Sequence, residues 1–510
     1  MNQPTQKRQT LGGAMLSYIL ILLNTIYGLL LMPYIVGQLG NAEYGVYKTI
    51  TAFTSALMVL DLGMGSTATR YIAKALAENN QKRISDCVKI FALQGAVLSV
   101  VVFGISLGVY FSLDTIYRHG LTAAELVLAK KLFLLMIITV VLHIFENILH
   151  GIIAGFNRYI FANSLKVIRL ISRILLTFFI LNFFRSSLVL VLIDIALIAA
   201  LLLSEVVYIR KKLCIQKSSA PVDTFLFWDT LKYSLSVFAI SVVSQISSNL
   251  DSVIVGAVKS SVAVTVYSIA LQLYNMFLQI GSSISGVMLP PVIRTLQTDD
   301  PKMSKTEQLV VQTGRIQFML LAAAFAGFLV VGKDFIQILM GSPNYTDAYY
   351  LGIILMFPAI FEVCINVCLS ILRAKKDLGY YVKALVLSAI INLLISLIGT
   401  ILFNYYAAAI GTAASVIIGN LLLMNRYYHK KFGFSVRRIY QKIMRNTWIC
   451  VVAAALVSWL FPAFGSSWTT FLSKTGIFLL VYLAGLLLFG LNKEEKQFLL
   501  SSVKHRRKES

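Results

Sequence analysis

The chain has 510 residues, 58% of them apolar and only 13% charged, with a mean hydropathy of +0.79. A soluble protein of this size sits nearer half apolar and a quarter charged. A soluble enzyme, a secreted disulfide scaffold and a disordered chain are therefore excluded, and an all-α polytopic membrane protein is expected.

The net charge of +23 would also suit a nucleic-acid binder. Lys and Arg accumulate in the cytoplasmic loops of membrane proteins, however, and no zinc pattern or nucleic-acid motif accompanies the charge. No nucleic-acid partner is expected. The cysteines Cys87, Cys214, Cys364, Cys368 and Cys450 are scattered through apolar stretches, with no disulfide framework or paired metal spacing.

A bilayer crossing takes about 20 mainly apolar residues. Such runs fall at 12–35, 46–68, 88–111, 128–151, 160–183 and 187–209. They continue at 233–256, 264–289, 315–332, 349–372, 380–403 and 407–428, and end at 446–463 and 470–491. Fourteen transmembrane helices result. The first run is too long for a signal-peptide core and lacks a cleavage site. With the N-terminus inside, 34 Lys and Arg fall at cytoplasmic ends, eight at outer ends and three within the fifth span. One missed or invented helix in the middle would scramble that bias, so both termini are expected in the cytoplasm.

The elements carry their polar residues unevenly. The second span contains Leu60-Asp61-Leu62-Gly63-Met64-Gly65. The fourth carries His143, Glu146, Asn147 and His150, spaced to share one helical stripe. That spacing would let His143, Glu146 and His150 hold a metal, but nothing else in the sequence supplies ligands, and no metal or cofactor is expected. The fifth carries Lys166, Arg169 and Arg173, again one stripe. Lys166 can snorkel to the interface; Arg173 is about halfway across. Counted from the turn near Gly155, Glu146 and Lys166 lie at similar depth, which predicts an ion pair, with His143 near Arg169. The sixth holds Asp194, with Glu205 near its end. The seventh holds Asp251 among Ser and Asn neighbours, and the tenth holds Glu362 together with Pro358, expected to kink it. Small residues crowd the second span (Gly63, Gly65, Ser66, Thr67) and the eighth (Gly281, Ser282, Ser283, Ser285, Gly286), where they let helices approach closely.

An internal repeat runs near 220 residues. Leu201-Leu202-Leu203, Tyr208, Arg210 and Lys211 meet Leu421-Leu422-Leu423, Tyr428, Lys430 and Lys431; Tyr47 meets Tyr267, and Ala154 meets Ala374. Two pseudo-symmetric six-helix lobes are expected, at 1–212 and 213–432, with the last two helices and a basic tail in 433–510. Paired bundles of this kind are a transporter architecture.

Gly45-Val46-Tyr47, the run Leu60 to Gly65, and Arg70-Tyr71-Ile72-Ala73 resemble the first two helices of polysaccharide-lipid flippases. These are the Wzx-type members of the multidrug/oligosaccharidyl-lipid/polysaccharide (MOP) superfamily. The resemblance implies a MATE-like, V-shaped transporter in the bacterial inner membrane. By alternating access it would move undecaprenyl-pyrophosphate-linked oligosaccharide repeat units to the outer leaflet, for O-antigen, capsule or exopolysaccharide. Its implied partners are the lipid-linked oligosaccharide, membrane lipids, a polysaccharide polymerase and a chain-length regulator. Peptidoglycan lipid II flippases also have fourteen spans but are expected to carry cavity arginines on their first, second and eighth helices; here the second carries Asp61. Multidrug or cation antiporters of the superfamily usually stop at twelve. A membrane-embedded glycan polymerase would need a larger outer region than the connection at 112–127 supplies, and no nucleophile elbow or Walker loop appears. No enzyme activity is expected.

Ionisable residues at bilayer depth are costly and usually face a cavity or a partner. Lys166, Arg169 and Arg173, with His143 and Glu146, are the candidate substrate-binding set, because the Arg fork and the Lys point charge suit a diphosphate. The competing reading is an internal ion-pair network. Asp61, Asp251, Asp194 and Glu362 are candidates to carry a coupling ion. The charge bias makes a direct prediction: topology reporters fused at residues 118 and 333 read as external, and an internal signal at either breaks the fourteen-span arrangement.

Overall fold

The computed structural model describes residues 3–118, 120–213, 215, 223–286, 292, 295, 304–375, 377–461 and 467–492. Cys214 and the basic tail around Lys504–Lys508 lie outside these, and the side chains of Asn249 and Ser283 are not described. All regular structure among the described residues is helical. Contacts group the chain into two compact units, residues 1–268 with 395–408, and residues 269–394 with 409–510.

In the first unit, α1 (Gln3–Met58) is two helical arms joined by a kink at Gly40, whose non-helical φ of 79° favours glycine. A short 3-10 turn, Val59–Asp61, follows, and Leu62 and Gly63 take left-handed φ values of 55° and 63° before α2 (Met64–Ala77) begins. The expected second span is thus broken at Asp61. Next come α3 (Gln81–Ile116), α4 (Ala123–Gly155), α5 (Tyr159–Leu181), α6 (Ser187–Tyr208), α7 (Thr224–Val258) and the start of α8 (Ser261–Gly286).

Side chains close the polar helix ends. Thr122 and Glu125 form a capping box on α4. Glu43, just past the bend in α1, accepts from the Ser187 N–H at 2.6 Å, the Ser187 hydroxyl at 2.7 Å and the Ser186 hydroxyl at 3.2 Å, capping α6.

The second unit holds the rest of α8, α9 (Ser304–Met340), α10 (Thr346–Cys364), α11 (Val367–Ala374), most of α12 (Gly379–Leu402) and α13 (Tyr406–Phe432), which contains a π-helical stretch at Val416–Leu423. The short α14 (Val436–Met444), then α15 (Thr447–Leu460) and α16 (Ser467–Gly485), complete it. The helix α10 continues through Pro358 and breaks only at Ile365 and Asn366. Buried Arg315 ties three chain segments together, donating to the carbonyls of Lys442 at 3.0 Å, Arg445 at 3.2 Å and Gly490 at 3.0 Å. Helix starts recur at the spacing of the repeat: Tyr159 with Gly379, and Ser187 with Tyr406.

Ten helices among the described residues are long and apolar enough to cross a membrane, or eleven if α14 and α15, bent by 47°, form one span. Of the fourteen expected runs, the fifth does not meet this criterion because α5 carries three cations along its length, and the first and seventh fall in large part on residues whose side chains are not described.

Small residues set a close crossing of α2 and α4. A Cβ on Gly151 of α4 would collide with the backbone of Gly65 on α2. The two backbones therefore touch, and the Thr69 hydroxyl donates to the Gly151 carbonyl at 3.0 Å. Below the crossing, Met64, Ala68 and Ile72 of α2 pack with Phe91 of α3 and Ile148 and Ile152 of α4. Valine at position 151 should cost about 1–3 kcal/mol through overpacking, read as a lower thermal unfolding midpoint in detergent. Alanine at Gly104, where nothing lies within 4 Å, should leave the midpoint unchanged or raise it slightly.

Candidate functional site

The site is built by α4, α5 and α6 around the inner face of α1. On α5 the apolar residues Ile168, Ile171, Leu175 and Phe178 are exposed, as lipid-facing side chains are. This stripe rolls Lys166, Arg169 and Arg173 toward the interior. The helices α4 and α6, packed together, supply the acids. On α6, Asp194, Ile198, Leu201 and Glu205 follow one stripe.

Charges meet in pairs. Lys166 Nζ lies 3.7 Å from Glu146 Oε1, the pair expected from the sequence, and His143 Nδ1 lies 3.1 Å from Glu146 Oε2. Arg173 Nη2 lies 2.8 Å from Asp194 Oδ2 and 3.5 Å from the Tyr47 hydroxyl. His150 Nδ1 lies 3.8 Å from Glu205 Oε1. Among the described residues Arg169 has no hydrogen-bond or ion-pair partner.

Between these helices is a cavity of about 210 Å³, lined by Tyr47, Thr51, His143, Arg169, Arg173 and Asp194 among others. A water's share of liquid volume is about 30 Å³, so this space holds a small polar group. Its wall offers the unengaged fork of Arg169, a second guanidinium held in place by a carboxylate, and an imidazole. Such a set of donors is suited to phosphate-like oxygens.

The remaining candidates lie elsewhere. Asp61 is committed to the chain break: its Oδ1 accepts from the Gly63 N–H at 2.8 Å and its Oδ2 from Asn147 Nδ2 at 2.7 Å. Asn147 also contacts His143 Nε2 at 3.2 Å, so the break is linked to the charged cluster. Buried Asp251, on α7, accepts from the Tyr267 hydroxyl at 2.9 Å. In the second unit, Glu362 accepts from Asn420 Nδ2 at 2.7 Å. Asn420 sits in the π-helical stretch of α13, the kind of irregularity that re-aims a side chain.

Two residues of the cluster escaped the sequence reading as site members, Tyr47 and Glu205. Tyr47 was visible only as a mark of the repeat. Glu205 had a signal, since eleven residues separate it from Asp194 and that spacing returns to the same helix face.

A family model described as polysaccharide biosynthesis protein matches residues 11–297. A curated relative, the probable low-salt glycan biosynthesis flippase Agl15 of Haloferax volcanii, is 24% identical over 224 residues. That match takes in 42% of this chain and 47% of the relative, about half the length of each. Among solved structures, the lipid II flippase MurJ in an inward closed conformation is similar with a TM-score of 0.70 at 16% identity, over 93% of this chain and 97% of that one. A multidrug resistance MATE family transporter of the MOP superfamily, in an inward-facing conformation, gives 0.61 at 14% identity, over 83% and 96%. At these identities the likeness to the two structures is one of fold.

The geometry at Asp61 yields a stability prediction. Losing two hydrogen bonds to a carboxylate, Asp61→Ala should cost about 2–3 kcal/mol, seen as a lower unfolding midpoint. Asp61→Asn keeps the acceptor for the Gly63 N–H and should cost less. An unshifted midpoint in Asp61→Ala would remove this residue from the break.

Proposed function

Because the chain belongs to the polysaccharide biosynthesis protein family, we propose that it flips a lipid-linked oligosaccharide across the bacterial inner membrane by alternating access, without enzymatic chemistry of its own. In this reading the cargo is an undecaprenyl-pyrophosphate-linked repeat unit, a polymerase and a chain-length regulator act next to it, and both termini are cytoplasmic. The lobes are 1–212 and 213–432, with 433–510 appended.

Arg169 carries the reading. A guanidinium at membrane depth is expensive, and this one lines a cavity with no acceptor from the described chain. It is a cation held for something that arrives. A diphosphate supplies the missing acceptors, and the planar fork binds two of its oxygens at once. Arg173 is positioned by Asp194 and Tyr47 to contribute from the same wall. Lys166 and His143 are held by Glu146 at one end of the cluster. Asp61 serves the chain break, whereas Asp251 and Glu362, a buried and a half-buried acid outside the charged cluster, are the candidates for a coupling ion.

The test is export of surface polysaccharide in cells lacking their own flippase. Arg169→Ala breaks no hydrogen bond or ion pair among the described residues, so it should express at near-normal yield and fail to transport. Arg169→Lys should recover part of the activity, because a point charge cannot reproduce the fork. Arg173→Ala strands Asp194 and should lower yield; adding Asp194→Asn should restore yield without restoring transport. A fully active Arg169→Ala, Arg173→Ala double variant would overturn the assignment.

A further inference from the structure

Next to the cavity, three buried or half-buried side chains bring ligand atoms together. We propose that Glu146 and His150 of α4 and Glu205 of α6 form a binding site for one divalent transition-metal cation of the zinc class. The inference does not rest on the glycan reading, and it shares only Glu146 with the candidate substrate-binding set.

The first observation is geometric. One oxygen of each carboxylate and a ring nitrogen of His150 all lie within 4.8 Å of one another. Two of the three ligand atoms, His150 Nδ1 and Glu205 Oε1, stand 3.8 Å apart. That is too long for a hydrogen bond. Two ligands of a tetrahedral zinc ion, each about 2.1 Å from the metal, stand about 3.4 Å apart, so a small closure of the two side chains completes the arrangement.

The second observation is an unfilled demand for charge. Glu205 is 1% exposed, and neither of its carboxylate oxygens has a hydrogen-bond partner. Glu146 is 2% exposed, and its Oε1 also lacks one; so does Nδ1 of His150. Buried carboxylates are normally paired, hydrogen-bonded or on a metal. The charged groups facing the three are Lys166 and Arg169 of α5 and His143 of α4. Lys166 stops 3.7 Å from Glu146 Oε1, beyond hydrogen-bond length, while His143 engages the other oxygen, Oε2. His143 thus orients Glu146 from behind, as outer-shell partners of metal ligands do.

Ligand chemistry selects the ion. Two carboxylates offset a 2+ charge, and an imidazole favours zinc-class ions over magnesium or calcium. Three protein ligands leave the fourth position to water. His150, 21% exposed, is the edge from which an ion enters.

The test uses the full-length chain in detergent, freed of any affinity tag and stripped with a chelator, then titrated with Co²⁺ alone. The expected result is one ion per chain with the visible absorption of tetrahedral Co²⁺, displaced by Zn²⁺. Glu205→Gln and His150→Gln should each weaken binding by at least about 10-fold, while Glu78→Gln, at an exposed acid, leaves it unchanged. X-ray absorption on the zinc-loaded wild type keeps the proposal testable if the variants fold poorly: it should show a nitrogen and oxygen shell with one imidazole. A sulfur shell, no saturable Co²⁺ spectrum, or unchanged affinity in both variants would overturn the site.

Discussion

The cost of placing a charge at bilayer depth governs the first unit. Three cations on α5 cannot face hydrocarbon, so the helix is rolled until Ile168, Ile171, Leu175 and Phe178 take the lipid side. Once that face is chosen, α4 and α6 must present acids on the opposite side. They do so with Glu146, Asp194 and Glu205. Hydrophobic packing alone would not set the rotation of these helices, because lipid tails are as apolar as the side chains. Electrostatics sets the rotation, and close backbone approach at Gly65 and Gly151 sets the distance.

The same economy applies to the backbone. A helix interrupted at membrane depth has N–H and C=O groups that water does not reach. The break at Asp61 is tolerated because one carboxylate satisfies the Gly63 N–H while gripping Asn147 of a neighbouring helix. In the second unit, Arg315 performs the complementary task for carbonyls, collecting three of them with one guanidinium. Asp61 and Arg315 thus serve the main chain, while Arg169 and Arg173 face a cavity.

Legibility in the sequence followed periodicity. Stripes on α4 and α5 could be read because helical spacing projects onto one face whatever the tertiary context, and the Glu146–Lys166 pair followed from equal distances to one turn. The pairing of Arg173 with Asp194 obeys the same rule across the turn before Ser187 and was legible in principle. Asp194 was instead weighed as an isolated acid. The break after Asp61 was not legible, since it depends on Leu62 taking a left-handed conformation that its side chain does not favour. The kink at Gly40 falls between the two apolar runs, where a glycine free to take a positive φ ends one helix and lets the next begin. Glu205 was seen but placed at a helix end, and its burial arises from the packing of α4 and α5 against α6.

Glu43 sits three residues beyond the bend at Gly40, yet it holds the opening turn of α6 through three hydrogen bonds to a single oxygen. The outer arm of α1 and the start of α6 are therefore yoked. If α1 pivots at its glycine, α6 is dragged along its axis or the yoke snaps and exposes two serines and an N–H. Asp194 rides on that same helix two turns further in, so a swing begun at the membrane surface would arrive at Arg173 as a tug on its counter-ion.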